Sequence, residues 1–256
     1  MRHLTLLLAI ALATPCFADE VTITVGPRGQ YPHLAQAVFV ANRDPDLSNS
    51  HVISLAPGIY LNDFPDPIIR PMSIQSSSRT KRAVLQATVA LPNQKGILLT
   101  FSSLTVRGLE KTGAFMDDSL GGNGAAIRDQ NPENIAATLV VQNSLFHDNQ
   151  TAILQGNDIQ ETVTIINSQF KNNGNPDQSS FQHAIYIDEA ASLTVSDSLF
   201  CGQWIGHEIK SRAAQTMVAN SQIYAGEGAP RNSGCRVGSA SFVAVLVLAG
   251  CPMVEI

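Results

Sequence analysis

The chain is poor in the features that would fix its function quickly. It has no basic tract: 16 Lys and Arg face 21 Asp and Glu, a net charge of −5, which argues against a nucleic-acid binder. A local basic patch could still hold an acidic sugar polymer. No apolar run is long enough to span a bilayer, and Phe242 to Leu248 (FVAVLVL) reads as a capping strand rather than a membrane element. Cysteine is scarce and scattered at 16, 201, 235 and 251, without the spacing of a metal cluster.

Residues 1–18 read as a removable export leader. Met1-Arg2-His3 is a short basic start, Leu6 to Leu12 an apolar run, and Cys16-Phe17-Ala18 a small-residue cleavage site before Asp19. This predicts a secreted or periplasmic protein without a stable membrane anchor. The remaining 238 residues suffice for one domain, 19–256. An oxidising compartment permits one disulfide among the three remaining cysteines, and Cys235 with Cys251 is the preferred pair, because a staple there would limit fraying of the tail.

What the chain does have is a repeat of about two dozen residues. LVVQNSLF (Leu139 to Phe146), VTIINSQF (Val163 to Phe170), LTVSDSLF (Leu193 to Phe200) and MVANSQI (Met217 to Ile223) align on Asn143, Asn167, Asp197 and Asn220, in steps of 24, 30 and 23. A second short strand, centred on Ile127, Ile153, Ile185 and Ile209, steps by 26, 32 and 24. Two registers that drift together predict a right-handed parallel β-helix of about seven to nine coils. Each coil buries one side of its strands and needs the next coil, about 4.8 Å away, to complete its core.

The polar column then reads as an inward or turn-facing ladder. Phe146, Phe170 and Phe200 form a core aromatic stack. Leu34 to Ala41 has helical apolar spacing and would plug the N-terminal end. Regular coils are expected over about 96–225 and a C-terminal cap over about 235–256, with outward loops at 109–123 and 172–180.

The stretch ITVGPRGQYPHLAQAV (Ile23 to Val38), with Ala56-Pro57-Gly58-Ile59-Tyr60, resembles the opening of pectin-lyase-like β-helix proteins, particularly the pectinesterase type. The resemblance covers roughly residues 21–60 and implies a strand, a capping helix and a first coil. It is a fold signature: the aromatic-flanked Asp-Phe-Ile-Phe-Gly stretch of pectinesterases is absent, as is the aspartate group of polygalacturonase-like hydrolases.

Candidate chemistry lies on two successive coils. FQHAIYID (Phe181 to Asp188) aligns with IGHEIKSR (Ile205 to Arg212) at an offset of 24. His183 falls on His207, Tyr186 on Lys210 and Asp188 on Arg212. Alternation puts Ile185, Ile187 and Ile209 inward, so Tyr186, Asp188, Glu208, Lys210 and Arg212 are expected outside, while strict alternation turns both histidines inward unless the bend at Gly206 resets the phase.

Such a face suits elimination or C5 epimerisation on a uronate-containing polysaccharide. Arg212 would bind the carboxylate, Lys210 or a histidine would take the proton, and Tyr186 would serve as donor or base. Asp188, Glu208 and Trp204 would help bind sugar, and Arg128 and Leu154 would extend the stripe into a polymer track or an oligomer surface. Asp117, Asp118 and Asp129 are the candidate ligands of a calcium site, although the spacing of a calcium loop is missing. The competing reading is a noncatalytic β-helix that binds glycan or another envelope component.

Overall fold

The computed structural model describes residues 20–156, 158–175 and 182–225, and the backbone of 235–237, 241–242 and 245–249. The leader read over residues 1–18 lies outside the described residues. Over the described residues the chain winds into a parallel β-solenoid of about eight turns with three sheets. Sheet A has nine strands, from Glu20–Val25 to Ser241–Phe242. Sheet B has eight, from Gly58–Leu61 to Val245–Ala249. Sheet C has six, from Gly96–Thr100 to Cys235–Val237. Each full coil visits A, B and C in turn, and the coils therefore begin well before residue 96.

The repeat registers as its sequence spacing requires. Phe146 pairs with Phe170, Phe170 with Phe200 and Phe200 with Ile223. The rings stack at 4.9 and 4.6 Å, nearly parallel, which fills the core with large apolar surface. Lys111 occupies the same row one coil earlier. It is fully buried, its ammonium 4.4 Å from the centre of the Phe146 ring, and burial drives its pKa well below the usual lysine range.

The polar column resolves into two ladders at the corner between sheets A and B. Asn143, Asn167, Asp197 and Asn220 all sit at positive φ, between 48° and 52°, where Asn and Asp are tolerated and turn the chain. They face outward, and the Asn167 amide donates to Asn143 Oδ1 at 2.7 Å. The inner ladder is the serine that follows each of them. Ser144, Ser168, Ser198 and Ser221 are buried. The Ser144, Ser168 and Ser198 amides each donate to the next serine's Oγ at 3.1–3.3 Å. All four hydroxyls donate back to a strand carbonyl of their own corner at 2.8–2.9 Å. Buried corner groups that a turn would orphan are thereby paired.

The helix Leu34–Asn42 closes the N-terminal end, burying Leu34, Ala37, Val38 and Ala41. Its first amides are capped from a distance: Asp63 accepts from Leu34 N at 2.7 Å and Ala35 N at 3.0 Å. The segment expected to cap the other end instead continues the coils, since Cys235–Val237, Ser241–Phe242 and Val245–Ala249 extend sheets C, A and B in register. The loop expected at 109–123 begins later, because Leu109–Thr112 is a strand of sheet B. Cys201 is disulfide-bonded. The pair expected from the sequence is Cys235–Cys251. The side chain of Cys235 and all of Cys251 lie outside the described residues.

Candidate functional site

Sheet C carries the row that the sequence offset of 24 implies. Arg128 pairs with Leu154, Leu154 with Tyr186 and Tyr186 with Lys210. Their neighbours Ile127, Ile153, Ile185 and Ile209 are fully buried, so alternation turns the row outward. Leu154 is only 7 % exposed. It lies between its two long neighbours and contributes little apolar surface of its own.

Around Tyr186 four side chains form one cluster. Asp188 Oδ1 accepts from the Tyr186 hydroxyl at 2.8 Å and from Arg212 Nη1 at 2.7 Å. Lys210 Nζ stands 4.2 Å from the centre of the Tyr186 ring, and the Arg212 guanidinium 5.6 Å from it, within reach of a cation–π attraction. Burial, then the hydrogen bond to Asp188, push the Tyr186 phenol up to about 12. It is therefore a proton donor at neutral pH. Beside the cluster opens a cleft of about 490 Å³ lined by Arg128, Asp188, Tyr186, Gln155, Asn131 and Asn123 among others. Arg128 Nε is buried with no hydrogen-bond partner among the described residues, and burial lowers its pKa.

The two histidines stack as expected, at 5.2 Å, in the corner just before the strands Ile185–Ile187 and Ile209–Ser211. His183 is 3 % exposed, and its Nδ1 accepts the His207 amide at 3.0 Å. Burial, with Lys210 and His207 adding to it, holds its pKa near about 3, so it is neutral. Gly206 permits this close turn: its φ is +82°, and a Cβ there would lie 1.9 Å from the Gln182 carbonyl oxygen.

Several expected participants lie elsewhere. Glu208 points inward, at 1 % exposure, accepting from Gln203 N at 3.0 Å. Burial raises its pKa to about 8. Glu208 is followed by buried Ile209, just as Ala126, Ala152 and Ala184 are followed by buried Ile127, Ile153 and Ile185, so the alternation breaks at the same place in each of these coils. Trp204 lines a separate groove at the corner of sheets B and C, with Asp148, Asn149 and Gly174. Asp129 faces the interior and bonds to Asn131 at 2.6 Å, and burial followed by Glu161 raises its pKa well above the carboxylate range. Asp117 is exposed on its loop, and the side chain of Asp118 is not among those described. No group of three His, Cys, Asp or Glu able to hold a metal occurs among the described residues.

Sequence reasoning missed a second feature, a groove of about 690 Å³ at the corner of sheets A and B. Its cations come from residues 79–82 and from the following coil, so that no contiguous basic tract marks it.

The architecture defines a class of fold, a parallel β-helix built of three sheets. No family model matches the chain, and no curated protein matches it in sequence. Among solved structures it is similar to the alginate lyase AlyGC of the PL6 family, at 12 % identity and a TM-score of 0.52, over 90 % of this chain and 40 % of that one. The chain thus spans less than half the length of that lyase. A pectin methylesterase from Aspergillus niger aligns at 9 % identity and a TM-score of 0.47, over 93 % of this chain and 87 % of that one. What the chain shares with the lyase at 12 % identity is the fold. No helix among the described residues is long and apolar enough to cross a membrane.

Proposed function

We propose that this chain is an exported polysaccharide-acting protein that takes an acidic sugar polymer on the outer face of sheet C, and that β-elimination at a uronate is the reaction this face supports best. The observation that carries the reading is the Tyr186, Asp188, Lys210 and Arg212 cluster, built from adjacent coils beside a cleft that Arg128 also lines. The fold shared with an alginate lyase is consistent with this substrate class.

Arg128 or Arg212 pairs with the uronate carboxylate and stabilises the charge that builds on it. Lys210 is the group placed to take the C5 proton. The C–H electrons become the C4=C5 double bond, the C4–O glycosidic bond breaks, and the Tyr186 phenol gives its proton to the departing oxygen. The raised pKa of Tyr186 suits it to donation rather than to the base role. His183, neutral but enclosed, stays out of the reaction. Epimerisation would share the first step and return the proton from the other face.

A noncatalytic glycan binder is the second reading. It is favoured by the closed pairing of Asp188 with both Tyr186 and Arg212. Ultraviolet absorbance of the new double bond decides between them, using the protein with alginate and polygalacturonate, with and without calcium. Product formation that Lys210→Ala lowers about 100- to 10,000-fold supports elimination. Tight polymer binding without product from either polymer supports the binder and sinks the lyase.

A further inference from the structure

The corner between sheets A and B is nearly uniform along the later coils, one left-handed residue and one buried serine. One early coil departs from this pattern. Between Met72–Ser76 and Ala83–Gln86 the corner is extended by residues 77–82, which carry Arg79, Lys81 and Arg82. Arg107, at the end of the next sheet A strand, joins them. Four of the sixteen cationic side chains of an acidic protein thus line one groove of about 690 Å³.

The extension is braced. Ser78 Oγ accepts from the Thr80 and Lys81 amides at 3.3 and 3.1 Å. Ser76 Oγ donates to the Lys81 carbonyl at 2.7 Å, and Arg82 Nε donates to the Asn143 carbonyl at 3.4 Å. Among the described residues none of the four cations is paired with a carboxylate. The one carboxylate in the lining, Glu110, is held by His147 at 3.1 Å. The groove therefore keeps an uncompensated positive charge, which focuses anions.

We infer that this groove is a second binding site, separate from the sheet C face, for a segment of anionic polysaccharide bearing carboxylate or sulfate groups. The remaining lining selects that class. Gln75, Asn143, Asn167 and Gln169 supply amides, and Ser76, Ser78 and Thr80 hydroxyls, which match the hydroxyl-rich body of a sugar chain, while the guanidinium groups match its anions. Among the described residues no aromatic side chain lines the groove, so it lacks the stacking platform of single-stranded nucleic-acid sites. It also lacks the apolar face that would enter a membrane.

The test is affinity and its salt dependence for heparin, alginate and polygalacturonate, compared with uncharged dextran, single-stranded DNA and phosphatidylserine vesicles. Wild type should bind at least one of the three acidic polysaccharides and not dextran. Arg79→Ser/Lys81→Ser/Arg82→Ser should lose at least about tenfold in affinity and show a shallower salt slope. Arg79→Glu alone, with an unchanged melting temperature, guards against a folding failure of the triple variant and should weaken binding in the same direction.

Lys210→Ala/Arg212→Ala should keep the groove's share of binding, which separates this site from the sheet C reading whether or not that reading survives. Polysaccharide binding unaltered by both groove variants overturns the inference, as does absence of binding to all three. Equal groove-dependent binding of DNA or vesicles overturns the assigned ligand class.

Discussion

Two rows of the same solenoid behave oppositely. At the corner of sheets A and B and in the core beside it, coil after coil repeats one chemistry: a left-handed Asn or Asp, a buried serine, a stacked phenyl ring. On the outer face of sheet C each coil contributes something different, Arg128, then Leu154, Tyr186 and Lys210. Repetition marks the positions whose neighbours above and below must match for the stack to close. Difference, on a backbone that is otherwise constant, marks positions that stacking leaves unconstrained, where side chains are available for a ligand.

The contrast can be broken most severely in the core. Phe170→Ala removes the middle ring of the stack and should destabilise the protein by about 3–5 kcal/mol, read by denaturant unfolding, with a comparably large fall in melting temperature. A loss below about 1 kcal/mol would mean that the repeated rings are not what holds the coils together.

An intermediate effect is expected at Glu208, where burial rather than a partner sets the pKa near about 8. The folded state holds this proton more tightly than the unfolded chain. Its contribution to stability is therefore complete at low pH and lost as pH rises from the ordinary glutamate range to about 8, with a slope of at most about 1.4 kcal/mol per pH unit. Glu208→Gln should flatten stability over that window. His183, held neutral with a pKa near about 3, acts in the opposite sense, its contribution falling away as pH drops below the usual histidine range. Unfolding curves from pH 4 to 9 check both, and an unchanged slope in Glu208→Gln would refute the assignment.

The smallest effect is expected on the variable row. Arg212→Ala breaks a pair whose arginine is 59 % exposed, and should change stability by less than about 1 kcal/mol, while reducing polymer binding or turnover. A large loss of stability there would move the cluster to the structural side of the comparison.

The repeated row was the more legible in sequence. Its period, its Asn column and the Phe146, Phe170, Phe200 stack could be read because each position recurs, and recurrence averages out local noise. The offset that sets Tyr186 on Lys210 was legible for the same reason. Glu208 was misplaced because alternation assumes a strand that extends back past Ile209, whereas two consecutive residues, Glu208 and Ile209, are buried there. Trp204 stands one residue from the 205–212 segment, yet the corner carries it to another groove. The basic groove escaped because Arg107 is a coil away from Arg79, Lys81 and Arg82, a proximity that exists only once the coils are stacked. Lys111 gave no warning at all: its position in the phenylalanine row follows from register, against the expectation that lysine lies outside.

Stacking also turns the sheet C row into a ruler. Arg128 and Lys210 are three coils apart, and at about 4.8 Å per coil their backbones are separated by about 14 Å. A single sugar ring reaches only one of these marks. A ligand engaging both must be an oligomer, so affinity should show a threshold in chain length rather than rise evenly with each added ring.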